Sequence, residues 1–349
     1  MSKFLFTDSS PFSHYPDFSK LGYQVIRALG RNRDEGRITY LADVLNSNQK
    51  VVIKEFCLAS IATDWSGMKA YDQEIEIMQQ LNHPRIPRYV DSFENLGDFY
   101  LVQEYKNAPS LGLKRSFHPE EIKQIALSIL EILVYLQTQV PSIIHRDIKP
   151  ENILVDEQLN AYLVDFGLAR LRGAKMVLSS FVTGTPGFMP PEEQFGYALT
   201  EASDLYSLGA TLICLLTNTR AVDIGKLIDD NYRFNLQKLV PQISPSFASW
   251  LRKMVACNRK HRYRNASVAL TALKPIQVID SATGKDNFIA AIQGRKRLTL
   301  LGLTTIGLLA VVSAILLISQ PGDAGKRLLE NKECLDFELR ENCLKETGY

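Results

Sequence analysis

His145-Arg146-Asp147-Ile148-Lys149-Pro150-Glu151-Asn152, followed thirteen residues after its last member by Asp165-Phe166-Gly167, is the stretch on which the reading of this chain turns. It sets an Asp five positions before an Asn with a Lys between them, then adds a second carboxylate followed by a glycine. A carboxylate base, a cation that can face a phosphate and two hard-oxygen ligands from separate loops are what moving a phosphoryl group onto a hydroxyl requires. Either string alone is weak evidence. Both, in this order and at this separation, are specific.

Outward from that stretch, hydrophobic periodicity divides the chain. Tyr23 to Leu29 alternates like a strand and Gly30 opens a turn. Val51-Val52-Ile53-Lys54 reads as a β-branched strand ending in a lysine, and Tyr71 to Leu81 as a helix with Ile75, Met78 and Leu81 on one face. Ile122, Ile125, Ile129, Ile132, Leu133 and Leu136 mark a second helix; Leu205, Leu208, Leu212, Leu215 and Leu216 mark a third, apolar nearly all round. Strands dominate before Glu104 and helices after it, which predicts an α+β architecture of two lobes.

With these residues in place, the chain resembles the eukaryotic-like protein kinases from about Gly22 to about Leu273. Lys149-Pro150-Glu151 looks like the serine/threonine form, since tyrosine-specific members carry Ala-Ala-Arg there. Gly36-Arg37-Ile38-Thr39-Tyr40-Leu41-Ala42 and the hinge Leu101-Val102-Gln103-Glu104-Tyr105 are similar in style to cyanobacterial members. The resemblance implies a bilobal kinase domain over 22–274, with a β-rich N-lobe to about residue 103 and a helical C-lobe after it.

It also implies roles, position by position. Asp147 is the expected base and Lys149 the cation at the transferring phosphoryl; Asn152 and Asp165 are the expected ligands of Mg²⁺, for which Mn²⁺ is a substitute, with ATP as donor. Lys54 matches the lysine on the α- and β-phosphates, with Glu74 as its carboxylate partner and Glu76, about 200° round the helix, as the competitor. Gln103 falls at the gatekeeper position, and adenine is expected on the carbonyl of Glu104 and the N–H of Lys106. Leu29, Gly30, Gly36 and Ile38 frame the phosphate-covering loop. Here the chain departs from its family: Gly30-Arg31-Asn32-Arg33-Asp34-Glu35-Gly36 has one extra residue and no middle glycine, either with Arg31 or Arg33 on phosphate oxygens or with both solvated. Pro190-Pro191-Glu192 and Arg262 match a structural ion pair, and Asp204 a brace of the catalytic-loop backbone. Arg146 is expected to pair with a phosphate on the segment after Gly167, at Ser179, Ser180 or Thr183; Thr185 matches a residue that bonds the catalytic Asp and Lys and is less suited to be a switch.

Composition limits the alternatives. Forty basic against 38 acidic residues give a net charge of +2, which argues against a nucleic-acid-binding role. Five cysteines are too few for a disulfide scaffold, and Cys57, Cys214 and Cys257 read as small buried hydrophobes in a reducing compartment. Residues 1–21 read as an irregular lead-in without a secretory signal, and 275–297 as a juxtamembrane linker. Leu298 to Ile318 carries no charge and, as a helix, is about 31 Å long, enough to cross a bilayer. Arg295-Lys296-Arg297 and the need for ATP put the kinase region in the cytoplasm and the 319–349 tail, with Cys334 and Cys343, outside. Gly307, Ala310 and Ala314 form a small-residue stripe that admits a homodimer. The expected activity is phosphorylation of Ser/Thr on proteins, the chain itself included, in membrane-linked signalling. The rivals are a pseudokinase membrane scaffold, supported by the altered glycine loop, and a small-molecule kinase, disfavoured by the intact Gly184-to-Glu192 segment.

Overall fold

The structure, a computed structural model, describes residues 15–32, 37–56, 66–113, 115–172, 186–229 and 231–279, all within one compact unit that ends at Asp280. Its first lobe is a five-stranded antiparallel sheet in the order β1-β2-β3-β5-β4, formed by β1 (Tyr23–Asn32), β2 (Arg37–Val44), β3 (Lys50–Phe56), β4 (Tyr89–Asn95) and β5 (Asp98–Glu104). One helix, α1 (Ser66–Gln80), joins β3 to β4. The register sets Lys54 opposite Thr39 on one side and Leu101 on the other. Lys54 is therefore fixed by the middle strand of the sheet.

Three details differ from the expectations. β1 does not turn at Gly30 but runs on to Asn32, with Gly30 opposite Thr39; register irregularities at Val25/Arg27 and Ala28/Gly30 absorb the misfit. β3 does not end at Lys54 but continues through Glu55 and Phe56. Glu55 stays in the sheet interior because Tyr40 Oη, on β2, donates to its Oε2 at 2.5 Å. The lead-in is not idle either: Phe18 is buried and packs edge-on against Phe93 and Tyr100, with ring centroids 5.3 and 4.9 Å apart. An aromatic cluster on that sheet face gains more from another ring than from water.

The second lobe is built on two long helices, α2 (Pro119–Thr138) and α4 (Glu201–Leu216), with α6 (Pro245–Met254) and α7 (Ala266–Leu273) packed against them. Short strands β6 (Ile143–Ile144) and β9 (Arg170–Leu171) pair, as do β7 (Ile153–Val155) and β8 (Ala161–Leu163). The helical turns α3 (Pro191–Gln194) and α5 (Leu236–Leu239) complete the lobe. The apolar positions of α2 named from the sequence are all fully buried, and α4 is buried all round through Cys214. A Cβ at Gly209 would stand 2.6 Å from Val255 Cγ1 and 2.9 Å from Met254 Cβ, so α4 and the end of α6 touch through a missing side chain.

Cys214 is buried, but Cys257 is exposed, contrary to its reading as a buried hydrophobe. The compact unit also runs past Leu273. Val278 is fully buried, its carbonyl accepts from Ser244 N–H at 2.7 Å, and Lys123 Nζ donates to the Ile276 carbonyl at 2.5 Å. The first residues of the expected linker thus belong to the helical lobe. Among the described residues no helix is long and apolar enough to cross a membrane. The expected span 298–318, the tail, Gly36, Arg33, Cys57 and the four hydroxyls Ser179, Ser180, Thr183 and Thr185 lie outside the described residues.

Candidate active site

Between the two lobes the structure gathers charged residues from separate elements. Lys54 on β3 reaches Glu74 on α1 at 2.7 Å and Asp165, in the loop after β8, at 3.0 Å. Lys54 is buried, and burial works against its charge, but the carboxylates of Asp165 and Glu74 outweigh it and hold the ammonium above the ordinary lysine range. Glu74 is 1% exposed whereas Glu76 faces solvent, as a helix with its inner face on Ile77 and Met78 requires. Gln73 Nε2 donates to the carbonyl of Ala169 at 2.9 Å and ties α1 to the chain just beyond Gly167.

The loop between β6 and β7 carries the second group. Asp147 Oδ2 accepts from Asn152 Nδ2 at 2.7 Å and pairs with Lys149 Nζ at 2.8 Å; the same amide nitrogen donates to the Asp147 carbonyl at 2.9 Å. Asp147 Oδ1 has no partner among the described residues. Burial pushes the Asp147 carboxyl up against the opposing pull of Lys149. The Lys149 ammonium loses to burial but gains more from Asp147, and is net raised. With the Asn152 nitrogen turned inward, its amide oxygen and the Asp165 carboxylate, whose side chain is 38% exposed, offer a set of hard oxygens only. That set fits a small hard divalent cation such as Mg²⁺.

The loop is held by buried charge beneath it. Asp204, at the first turn of α4, accepts from the backbone N–H groups of His145 and Arg146, both at 2.9 Å. Burial raises its carboxyl to about 6 despite those bonds. His145 is fully buried, stacks edge-on against Phe166 at 4.7 Å, and accepts at Nδ1 from the Asp147 N–H at 3.3 Å. Arg146 and Asp165 both take left-handed backbone, at φ +70 and +68, a strain that only a well-determined loop sustains. Glu192 on α3 is gripped by both terminal nitrogens of Arg262 at 2.7 Å, and Arg262 is 4% exposed. Burial pushes the Glu192 carboxyl up, but Arg262 overcomes it and leaves the group lowered.

Arg146 shows a contact that sequence reasoning missed. Its Nε donates to Glu193 Oε1 at 2.8 Å, and the two side chains are only 7% and 9% exposed. A carboxylate of the chain itself therefore sits on the guanidinium expected to await a phosphate. Glu193 lies 47 residues away, so no spacing rule signalled it. At the hinge, Glu104 and Lys106 pair with each other at 2.7 Å; Arg88 Nε donates to Glu104 and Lys106 to the Pro84 carbonyl. Both side chains are occupied, so the backbone is what this hinge has to offer. Leu29 and Gly30 lie on β1 and Ile38 on β2.

His145 gives the site a measurable acid sensitivity. Burial lowers its imidazole to about 4 from 6.5. The unfolded chain therefore binds a proton below pH 6.5 while the folded one resists until about pH 4, so stability falls as pH drops through that window. Relative to His145→Asn, which keeps an acceptor for the Asp147 N–H, the wild type should lose on the order of 3 kcal/mol between pH 6.5 and 4. Urea titrations of both proteins across this range check it; parallel pH profiles would refute the assignment.

Against known proteins, residues 23–272 match the protein kinase domain. Serine/threonine-protein kinase B of Synechocystis is 36% identical over 224 residues, 58% of this chain and 37% of that protein. Serine/threonine-protein kinase D of the same organism is 31% identical over 263 residues, covering 72% and 51% of the two chains. Serine/threonine-protein kinase PknA of Nostoc is 30% identical over 277 residues, 72% of this chain and 47% of the relative. The matched part of the chain thus spans half or less of the length of these relatives, to within a percent.

Proposed function

This chain belongs to the protein kinase domain family, and from that premise we propose that it transfers the γ-phosphoryl group of ATP to serine and threonine hydroxyls of proteins, itself included. The observation that carries the reading is the Asp147 carboxylate, with one oxygen anchored by Asn152 and Lys149 and the other left open. An oriented carboxylate with one unbonded oxygen is suited to receive the proton of an incoming hydroxyl. Its raised affinity for protons, from burial, moves it toward that task. Lys149, 2.8 Å from the same carboxylate, supplies positive charge where the transferred group would carry its negative oxygens. Lys54, held between Glu74 and Asp165, would clamp the α- and β-phosphates. Asn152 and Asp165 would hold the Mg²⁺, whose positive charge would offset the negative charge of the phosphates. The hinge would bind adenine through the Glu104 carbonyl and the Lys106 N–H.

The test uses the full chain with Mg²⁺ and γ-labelled ATP, followed by phosphoamino acid analysis. Label on phosphoserine or phosphothreonine, mapped by mass spectrometry to Ser179, Ser180 or Thr183, is the expected result. Mg²⁺-dependent nucleotide binding with no label on the chain or on acceptor proteins would instead leave a membrane scaffold. We further propose that 298–318 spans a membrane, with the kinase unit cytoplasmic and the tail outside. That reading rests on the uncharged run and its length. Release of the full chain from membranes by alkaline carbonate, without detergent, would sink it.

A further inference from the structure

One face of the helical lobe carries charge of a single sign. From Asn231 to Ile279 the chain has nine lysines and arginines and no aspartate or glutamate, in a protein whose net charge is only +2. Four of these cations, Arg252, Lys253, Lys260 and Arg264, are exposed, and no carboxylate among the described residues pairs with any of them. Other exposed cations do find one: Lys50 holds Asp43 at 2.8 Å, Arg172 holds Glu201 at 2.6 Å, and Arg220 and Lys226 share Asp223. Cations gathered without counter-charge repel one another. The carbonyl end of α6 favours positive charge at 252 and 253, but that effect ends within the last turn and leaves Lys260 and Arg264 unexplained.

The four belong to one surface. Arg262 donates to the carbonyls of Ala256 and Cys257 at 2.7 and 3.1 Å, which folds the chain after α6 back on itself. Lys253 Nζ lies 4.3 Å from the centre of the Tyr263 ring, so the end of α6 meets the segment that carries Arg264. The other end of α6 holds the place where the chain leaves the compact unit. Its N-cap, Ser244, donates through its N–H to the Val278 carbonyl at 2.7 Å and through Oγ to the Gln277 carbonyl at 2.5 Å. A helix of ten residues is about 15 Å long, so the basic surface stands one short helix from that exit. Only residues 281–297 separate the compact unit from the uncharged run 298–318, and that stretch reaches no more than about 60 Å when fully extended.

Several long, unpaired cations on an open surface complement a plane of anionic headgroups, which asks for charge and reach but for no fixed geometry. A nucleic acid would be drawn by the same charge. However, Tyr263 is 9% exposed beneath Lys253, and between 252 and 264 no tyrosine, phenylalanine or tryptophan lies open for a base to stack on. We propose that this face docks on anionic lipid at the membrane surface and so holds the helical lobe against the bilayer. The proposal rests on the reading of 298–318 as a membrane span and adds to it an orientation of the kinase unit.

The test is made on the full chain in lipid nanodiscs, either of phosphatidylcholine alone or of an equal mixture with phosphatidylglycerol. Hydrogen exchange reads the amides of 252–264. They should exchange at least about fivefold more slowly in the anionic discs, and high salt should restore the neutral rate. Arg252→Gln, Lys260→Gln and Arg264→Gln combined, checked for unchanged melting, should lose the protection. Lys20→Gln with Arg27→Gln, which removes cations from the other lobe, should keep it. Equal exchange in the two discs, or protection that survives the triple substitution, overturns the assignment. A labelled single-stranded RNA that binds the full chain while the two discs exchange alike would give the face to nucleic acid instead. Retention in the discs is followed in parallel. A chain that stays in neutral discs but shows no lipid effect keeps the span and loses the face. One that leaves neutral discs, yet is held and protected by anionic ones, does the reverse.

Discussion

Asp147→Asn is expected to lower turnover by about 10²–10⁴-fold while leaving nucleotide binding within about twofold. The substitution is nearly isosteric, and an amide oxygen can still accept from Asn152 and Lys149, so the loop keeps its bonds. What is lost is the Asp147 carboxylate, which can take up a proton where an amide cannot. The two effects separate cleanly: a fluorescent nucleotide reads binding, and single-turnover transfer reads chemistry. A loss below about tenfold in transfer would remove Asp147 from the role of base and leave it as a positioning residue.

The second large effect is on stability. Arg262→Ala removes both bonds to Glu192 and the donors to the carbonyls of Ala202, Ala256 and Cys257. Ser203 Oγ, at 2.8 Å, is then the main donor left to a buried carboxylate. Breaking a buried pair from one side costs about 3–5 kcal/mol, because the remaining charge has neither water nor counter-ion. For a unit of this size that corresponds to a fall in Tm of roughly 6–20 °C. Replacing both partners together, Glu192→Leu with Arg262→Met, should recover much of the loss, since no orphan charge remains. Calorimetry on the two variants checks this; a double variant as unstable as the single would point to shape rather than charge.

The parts of the site that were legible in the sequence are those whose geometry is local. Asp147, Lys149 and Asn152 share one loop, so a spacing of five residues nearly dictates their contact. Glu74 was separable from Glu76 because helical periodicity assigns them to different faces. Ile77 was missed on the same helix: α1 is covered on two sides, with Ile77 and Met78 in the main core and Ile75 against Phe56, Tyr71 and Leu101. One apolar stripe describes only one of those contacts. The extension of β3 through Glu55 was illegible for a related reason, since its tyrosine partner comes from a neighbouring strand. The Arg146–Glu193 pair depends on residues far apart in the chain, and no period or motif encodes it.

The Arg146–Glu193 contact changes what a phosphate on the segment after Gly167 could accomplish. Where such an arginine stands open to solvent, a phosphate gains the whole of its attraction. Here it would gain only the difference between its own grip and that of the carboxylate already in place. The displaced Glu193, 9% exposed on its side chain, would need water or another cation before it could leave. Modification would thus act as an exchange reaction, with an amplitude set by competition between two anions for one guanidinium. A chain wired in this way keeps its catalytic loop braced without a phosphate.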